Sequence, residues 1–256
     1  MTAELDRCVA FLRDFALRTA ERTAEGRFGI AVFNDRLARV WSLNYVLAER
    51  DLDRVSAGEL AHDADRLLGA AGLVHRKVEV HQGEAGKRLE PKFCALGWSV
   101  EHDLVMPHRR APDREADIGA VEELRADQLE EAWAEGTRGE PHGRDEEVVR
   151  QLVEQKHVFA AAGARFFAAR AEGKIATTCD LYSDGRTAQI ESVLTLERFR
   201  NRGLARAVVS RALAEARADG HDLTFLLAHH DDWPRHLYTK LGFDEVGSVY
   251  DFLLPG

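Results

Sequence analysis

Three short segments rich in aromatic and β-branched residues follow one another after residue 164: RFFAAR (165–170), KIATTCDLY (174–182) and AQIESVLTL (188–196). Turn residues separate them, Glu172-Gly173 and then Ser183-Asp184-Gly185, so they read as successive strands. A helical pattern starts at Gly203, runs to Ala218 and stops near Gly220, and the strand pattern LTFLLA (223–228) comes next. A helix at 234–241 and a strand at 245–254 complete the chain. Strands in series, joined to a strand-helix-strand passage, commit this half to a mixed α/β (α+β) sheet.

The first half is less regular. GIAVF (29–33) and ARVWSLNYVLA (38–48) read as a strand pair turned at Asn34-Asp35. They are followed by a helix at 56–72, a strand at 75–81, a short helix around 90–96 and a strand at 99–106. The segment MPHRRAPDREAD (106–117) has two prolines, mixed charge and no apolar periodicity, and reads as a linker. Beyond it, 121–133 and 146–155 read as helices joined by the polar loop 137–147. The expected division is therefore 1–110 and 113–256. FCALGWSVEHDLVM (93–106) and YTKLGFDEVGSVYDF (238–252) both carry Leu-Gly-aromatic before a strand, which suggests a duplicated unit.

Charge narrows the classes of partner. The chain of 256 residues has a net charge of −9. Residues 1–112 are balanced, with 17 basic and 17 acidic side chains, whereas 113–154 hold 14 acids against 5 bases. A nucleic-acid binder would show a basic face across the domain, so that class is disfavoured. No apolar run approaches the roughly 20 residues that span a bilayer, and the N-terminus reads as an amphipathic helix rather than a signal peptide. Three distant cysteines without a CxxC pair give neither a disulfide framework nor a zinc site. The expected setting is the cytoplasm.

Against this acidic background, RFRNRGLARA (198–207) concentrates four arginines where a strand gives way to a helix. A helix N-terminus offers unpaired N–H groups and the positive end of the dipole, a natural seat for phosphate oxygens. Gly203, without a Cβ, lets the backbone approach an anion, and Arg200, Arg202 and Arg206 can add fork-shaped donors. Arg200-Asn201-Arg202-Gly203-Leu204-Ala205 resembles the (Arg/Gln)-x-x-Gly-x-(Gly/Ala) pyrophosphate loop of GCN5-related N-acetyltransferases (the GNAT superfamily). Ile190 to Thr195 is similar to that family's splayed fourth strand, and Leu237-Tyr238-Thr239-Lys240-Leu241-Gly242-Phe243 to its LYxKLGF signature. The resemblance covers about 114–254. It implies a GNAT fold, acetyl-CoA as co-substrate without a metal, and acetyl transfer to an amine by direct attack.

The same resemblance implies roles for particular residues. An oxyanion-binding N–H lies near Val193 or Leu194, and Val193, Leu194 and Thr195 line the cofactor together with Arg200, Asn201, Arg202, Gly203, Leu204, Ala205 and Arg206. Tyr238 matches the tyrosine that protonates the coenzyme A sulfur. Glu191 is the candidate general base, with apolar neighbours raising its pKa; its plainer role is a structural acid paired with Arg170 or Arg186. Ser192 points away from it on a regular strand. Asp231 stands where the family often has the asparagine that contacts pantetheine, and it can accept but not donate a hydrogen bond. Trp133 is the candidate acceptor-pocket residue, and the acidic block would draw in a cationic amine, or be simply a solvated face.

The N-terminal half shares only LGW (96–98) and the strand after it. No Arg-x-x-Gly loop precedes them, so 1–110 reads as a degenerate GNAT-like domain without a working site. GEAGKRLEPKF (83–93) has two glycines in a different pattern. His229-His230-Asp231-Asp232 has ligand residue types but no ligand spacing. Two rival readings are transfer of a longer acyl group and a non-catalytic acyl-CoA sensor or scaffold. The acceptor is not legible.

Overall fold

The computed structural model describes residues 2–256. In chain order its elements are α1 (Ala3–Thr19), β1 (Arg22–Glu25), β2 (Gly29–Phe33), β3 (Tyr45–Ala48), α2 (Ala57–Ala70), β4 (Arg76–Val80), α3 (Gly83–Ala95), β5 (Ser99–Pro107), β6 (Val121–Leu124), α4 (Glu130–Arg138), α5 (Glu146–Ala161), β7 (Arg165–Ala171), β8 (Lys174–Ser183), β9 (Thr187–Thr195), α6 (Leu204–Ala218), β10 (Leu223–His229), α7 (Pro234–Leu241) and β11 (Gly247–Leu254). They form two compact units that are not consecutive in sequence. The larger holds residues up to 11, 106–228 and 232–245; the smaller holds 12–105, 229–231 and 246–256.

In the larger unit the strand order is β6-β7-β8-β9-β10. β6 to β9 are antiparallel neighbours, and β9 and β10 run parallel, joined by α6. The turn glycines Gly173 and Gly185 have φ of 76° and 89°, the left-handed conformation that glycine adopts at no steric cost. α6 is rich in alanine, leucine and arginine, good helix formers, and buries Val208, Val209, Ala212, Leu213 and Ala216. α4 and α5 cover a core of Leu129, Trp133, Phe166 and Ala168.

Several sequence expectations are corrected here. The segment 121–133 is not one helix: 121–124 is strand β6, whose Glu122 and Glu123 pair with Arg170 and Arg165 across β7, and α4 begins only at Glu130. The segment 106–117 is hydrogen-bonded rather than loose. His108 N–H donates to Thr224 O (2.8 Å), Arg109 N–H to Gly242 O (2.9 Å) and Asp113 N–H to Lys240 O (2.8 Å).

In the smaller unit the order is β1-β2-β3-β4-β11-β5. β3 and β4 are parallel and joined by α2; β11 is antiparallel to both β4 and β5. The turn expected at Asn34-Asp35 is a longer passage with two 3₁₀ turns. Buried Asn44 closes it, accepting from Asn34 N–H and donating to the carbonyls of Leu37 and Val40 (each 2.9 Å). α3 starts seven residues before the expected Glu90. Its apparent breakers Gly83 and Gly86 serve close packing, since a Cβ on Gly86 would lie 2.1 Å from the Tyr250 ring.

Candidate active site

The site begins where two parallel strands part. β9 and β10 pair from Thr187/Leu223 to Ile190/Leu226, yet β9 continues to Thr195 and β10 to His229. Beyond Ile190 the β10 side of β9 therefore has no strand partner among the described residues. On its other side β9 pairs with β8, but the register slips: Asp180 faces Glu191 and Thr178 faces Leu194, so Ser192 and Val193 together oppose Cys179. This is a β-bulge, which re-aims the backbone at the point where a strand serves a site. Its first residue, Ser192, has φ of 53°, uncommon for a residue with a Cβ.

The bulge corrects one sequence expectation. Ser192 does not simply face away from Glu191: its N–H donates to Glu191 Oε1 (3.0 Å), and its hydroxyl acts on the titration of both Asp180 and Tyr182. Gln189 Nε2 donates to Glu191 Oε2 (2.9 Å). Neither Arg170 nor Arg186 holds Glu191; they pair with Glu122 and Asp222. The half-buried Glu191 carboxyl is pushed up chiefly by desolvation, partly offset by the Ser192 N–H and by the charge of Lys156.

β9 hands over to α6 through a loop with no side-chain cap. Asn201 and Gly203 are both left-handed, with φ of 63° and 78°. A Cβ on Gly203 would meet nothing within 4 Å, and among the described residues no side chain caps the first amides of α6. Arg200 is exposed, with Nε donating to Thr195 O (3.3 Å), and Arg202 pairs with Glu172 (2.7 Å). Arg206 stands differently from the exposed fork that the sequence suggests. It is 5% exposed, with Nη1 bound to Asp113 (2.7 Å) and to the Arg114 carbonyl, so its guanidinium is already engaged. Leu204 and Ala205 form the first helical turn.

Tyr238 lies on α7, buried against Phe243 (ring centroids 6.3 Å apart). Burial pushes its phenol well above the ordinary tyrosine range, and the Glu191 charge adds to this, so the two groups share one electrostatic site. α7 ends at Gly242 (φ 98°), where a Cβ would lie 2.0 Å from the Arg110 carbonyl oxygen. The Leu-Gly-Phe signature is thus a helix stop that only glycine fits.

Trp133 is 5% exposed and belongs to the core beneath α4, edge-on to Phe166 (5.1 Å). One turn on, Gly136 packs against Leu194 so closely that a Cβ would lie 2.6 Å from the leucine side chain. Trp133 therefore backs the wall behind Leu194 rather than presenting its ring to solvent. Asp231 belongs to the smaller unit, where its exposed carboxylate pairs with His230 (2.8 Å). Part of the acidic block is neutralised locally: Glu135, Glu146, Glu147 and Glu154 pair with arginines, while Glu130 contacts His157. Among the described residues no group of three His, Cys, Asp or Glu side chains could hold a metal ion, and no helix is long and apolar enough to cross a membrane.

The smaller unit repeats the strand-helix-strand passage without these openings. β3 stays paired with β4 to its last residue, Ala48. The start of α2 is closed by its own capping box: Ser56 Oγ accepts from Glu59 N–H, and the Glu59 carboxylate accepts from Ser56 N–H. In the Leu-Gly-aromatic alignment Phe93, fully buried, occupies the position of Tyr238.

The family sequence model described as "Acetyltransferase (GNAT) family" matches residues 121–243, from β6 through Phe243. This segment belongs to the GNAT acetyltransferase family. The fold agrees over a longer stretch. A GCN5-related N-acetyltransferase from Kribbella flavida superposes with a TM-score of 0.69 at 18% identity, covering 100% of this chain and 97% of that one. A functionally unknown conserved protein from Staphylococcus epidermidis gives 0.68 at 13% identity, covering 91% and 93%. A GNAT-family acetyltransferase from Colwellia psychrerythraea gives 0.52 at 14% identity, covering 89% and 81%. No curated protein matches the sequence. Both sequence motifs, the loop at 200–205 and the helix stop at 241–243, lie within the matched segment.

Proposed function

We propose that this GNAT protein transfers acetyl from acetyl-CoA to an amine, at a single site in the larger unit. The observation that carries the reading is the parting of β9 from β10 after Ile190, directly before the uncapped start of α6. An unpaired strand edge can bind an amide-bearing pantetheine arm as a further strand would bind, and the open amides at Gly203–Ala205 suit its pyrophosphate. Arg200 and Arg202 lie close enough in sequence to add charge, whereas Arg206 supports the loop from behind through Asp113.

Acetyl-CoA supplies an activated thioester carbonyl. Glu191 accepts the proton that the amine must lose, either directly or through one water, as the nitrogen–carbon bond forms. The N–H of Val193 or Leu194, beside the bulge, donates to the carbonyl oxygen as charge builds on it, a contribution of about 3–4 kcal/mol for one preorganised donor. Tyr238 gives its proton to the sulfur as the carbon–sulfur bond breaks. Proton uptake by Glu191 also removes the negative charge that raises Tyr238, so loading the base strengthens the acid. One proton is taken up by Glu191 and one is given by Tyr238, and the site is restored when the Glu191 proton passes to solvent and the Tyr238 phenolate is reprotonated from it.

Among the described residues the smaller unit has no counterpart to any part of this arrangement: β3 stays paired, Glu59 closes the start of α2, and Phe93 stands at the position of Tyr238. This supports the reading of a degenerate GNAT-like half, and the division near residue 110 is part of the same proposal. The test is a screen of primary amines with acetyl-CoA, following release of free thiol by the wild type and by Tyr238→Phe. An enzyme loses turnover in the variant while retaining acetyl-CoA affinity. A non-catalytic sensor binds acetyl-CoA equally in both and releases no thiol with any amine.

A further inference from the structure

Behind Glu191 lies a buried ion pair that the proposed reaction does not use. Asp180 on β8 is wholly buried, and Lys156 on α5 is 9% exposed; Lys156 Nζ sits 2.6 Å from Asp180 Oδ2. The buried Tyr182 hydroxyl donates to the same oxygen (2.8 Å), while Asp180 Oδ1 is buried with no hydrogen-bond partner. Burying such a pair contributes little to stability, because desolvation offsets the attraction. Its place in the sheet is more informative. Asp180 is the direct cross-strand neighbour of Glu191, at the residue where the bulge begins.

We propose that Lys156 and Asp180 form a buried charge couple that positions and tunes Glu191 for proton transfer. The proposal rests on the reading of Glu191 as the base. Asp180 places a negative charge beside the carboxylate and opposes its ionisation; Lys156 places a positive charge nearby and favours it, and both effects act on Glu191. The remaining groups facing Glu191 are Tyr182 from β8, Tyr238 from α7, and Gln189 and Ser192 from its own strand. None of these is a second cation or carboxylate, so Lys156 and Asp180 supply the opposed charges that act on Glu191, beside desolvation and the Ser192 N–H. Lys156 and Asp180 are positioning residues: neither needs to touch the acceptor.

The test reads Glu191 itself. Protein carrying ¹³C-labelled glutamate carboxyls is titrated by NMR, with the Glu191 signal assigned by its loss in Glu191→Gln. Asp180→Asn is expected to move the Glu191 midpoint to lower pH by about one unit, and Lys156→Met to higher pH by a similar amount. The double variant Lys156→Met/Asp180→Asn keeps a neutral, isosteric pair and returns the midpoint close to wild type. It also serves if a single variant, left with an unpaired buried charge, does not fold. Lys156→Arg, which keeps the charge, is expected to leave the midpoint near wild type. Midpoints that do not move, that move in the same direction in both single variants, or that stay displaced in the double variant overturn the proposal. The titration needs neither acetyl-CoA nor an acceptor. Loss of acetyl-CoA binding in the wild type would defeat the enzymatic reading while leaving this measurement intact.

Discussion

Substitution of Gly203 by alanine separates a conformational cost from a binding cost. Gly203 has φ of 78°, and an added Cβ would meet nothing within 4 Å. The loss of stability is then the left-handed penalty for a residue with a Cβ, about 1–2 kcal/mol, or a fall in melting temperature of roughly 2–8 °C for a domain of this size. The methyl group also projects into the open space at the first amides of α6, where the phosphates are proposed to sit. Displacing one or two charge-assisted hydrogen bonds, about 1.5–3 kcal/mol each, should weaken acetyl-CoA binding by about 10-fold to more than 100-fold. The control is Gly220→Ala, at the opposite end of the same helix. Its φ is 85° and its surroundings are equally open, so its stability cost should match and its acetyl-CoA affinity should stay near wild type. Thermal melts and calorimetric titrations of both variants decide the matter. Equal affinity in the two would refute the assignment of the helix start as the phosphate seat.

Four further outcomes follow from the geometry. Tyr238→Phe should lower kcat by about 10²–10⁴-fold with acetyl-CoA affinity within about twofold, measured by thiol release and calorimetry. Gly242→Ala should cost about 3–4 kcal/mol in urea unfolding, since its Cβ would lie 2.0 Å from Arg110 O and φ is 98°; a loss below 1 kcal/mol would show that the Arg110 strap yields freely. Because desolvation raises Glu191 in the folded state, its contribution to stability is present below the unfolded carboxyl pKa and is lost as pH rises through the folded one. The stability of the wild type relative to Glu191→Gln should therefore fall as pH rises from the ordinary carboxylate range through the higher folded-state pKa of Glu191. An acceptor assay should show turnover rising with pH through the same folded pKa, with that limb absent in Glu191→Gln.

The parts of this protein that were legible in the sequence are those with short-range causes. Strands 165–195 announce themselves through aromatic and β-branched residues between turn glycines, and Gly203 and Gly242 mark a helix start and stop that demand positive φ. What escaped depends on distant neighbours. VEEL at 121–124 continues a plausible helical pattern, and it becomes a strand because its backbone pairs along β7 and Val121 is buried there, with the two exposed glutamates meeting Arg170 and Arg165. The sequence suggests a helix only around 90–96 because Gly83 and Gly86 look like breakers. Only the packing of β11 on the helix explains why Gly83 and Gly86 are small. At the site, the loop and the tyrosine were visible as motifs. The bulge at Ser192 was not, since a left-handed serine leaves no mark in composition. The same holds for Asp180 and Lys156, 24 residues apart in the chain, which meet only once β8 lies under α5.

The central claim is a single acetyl-CoA site, in the unit whose strands part. Calorimetric titration of the intact protein with acetyl-CoA tests it most directly. The account predicts one site per chain, lost in Gly203→Glu. Two sites would contradict the reading of β3, Glu59 and Phe93 as a closed half, and an absence of binding would contradict the functional proposal altogether.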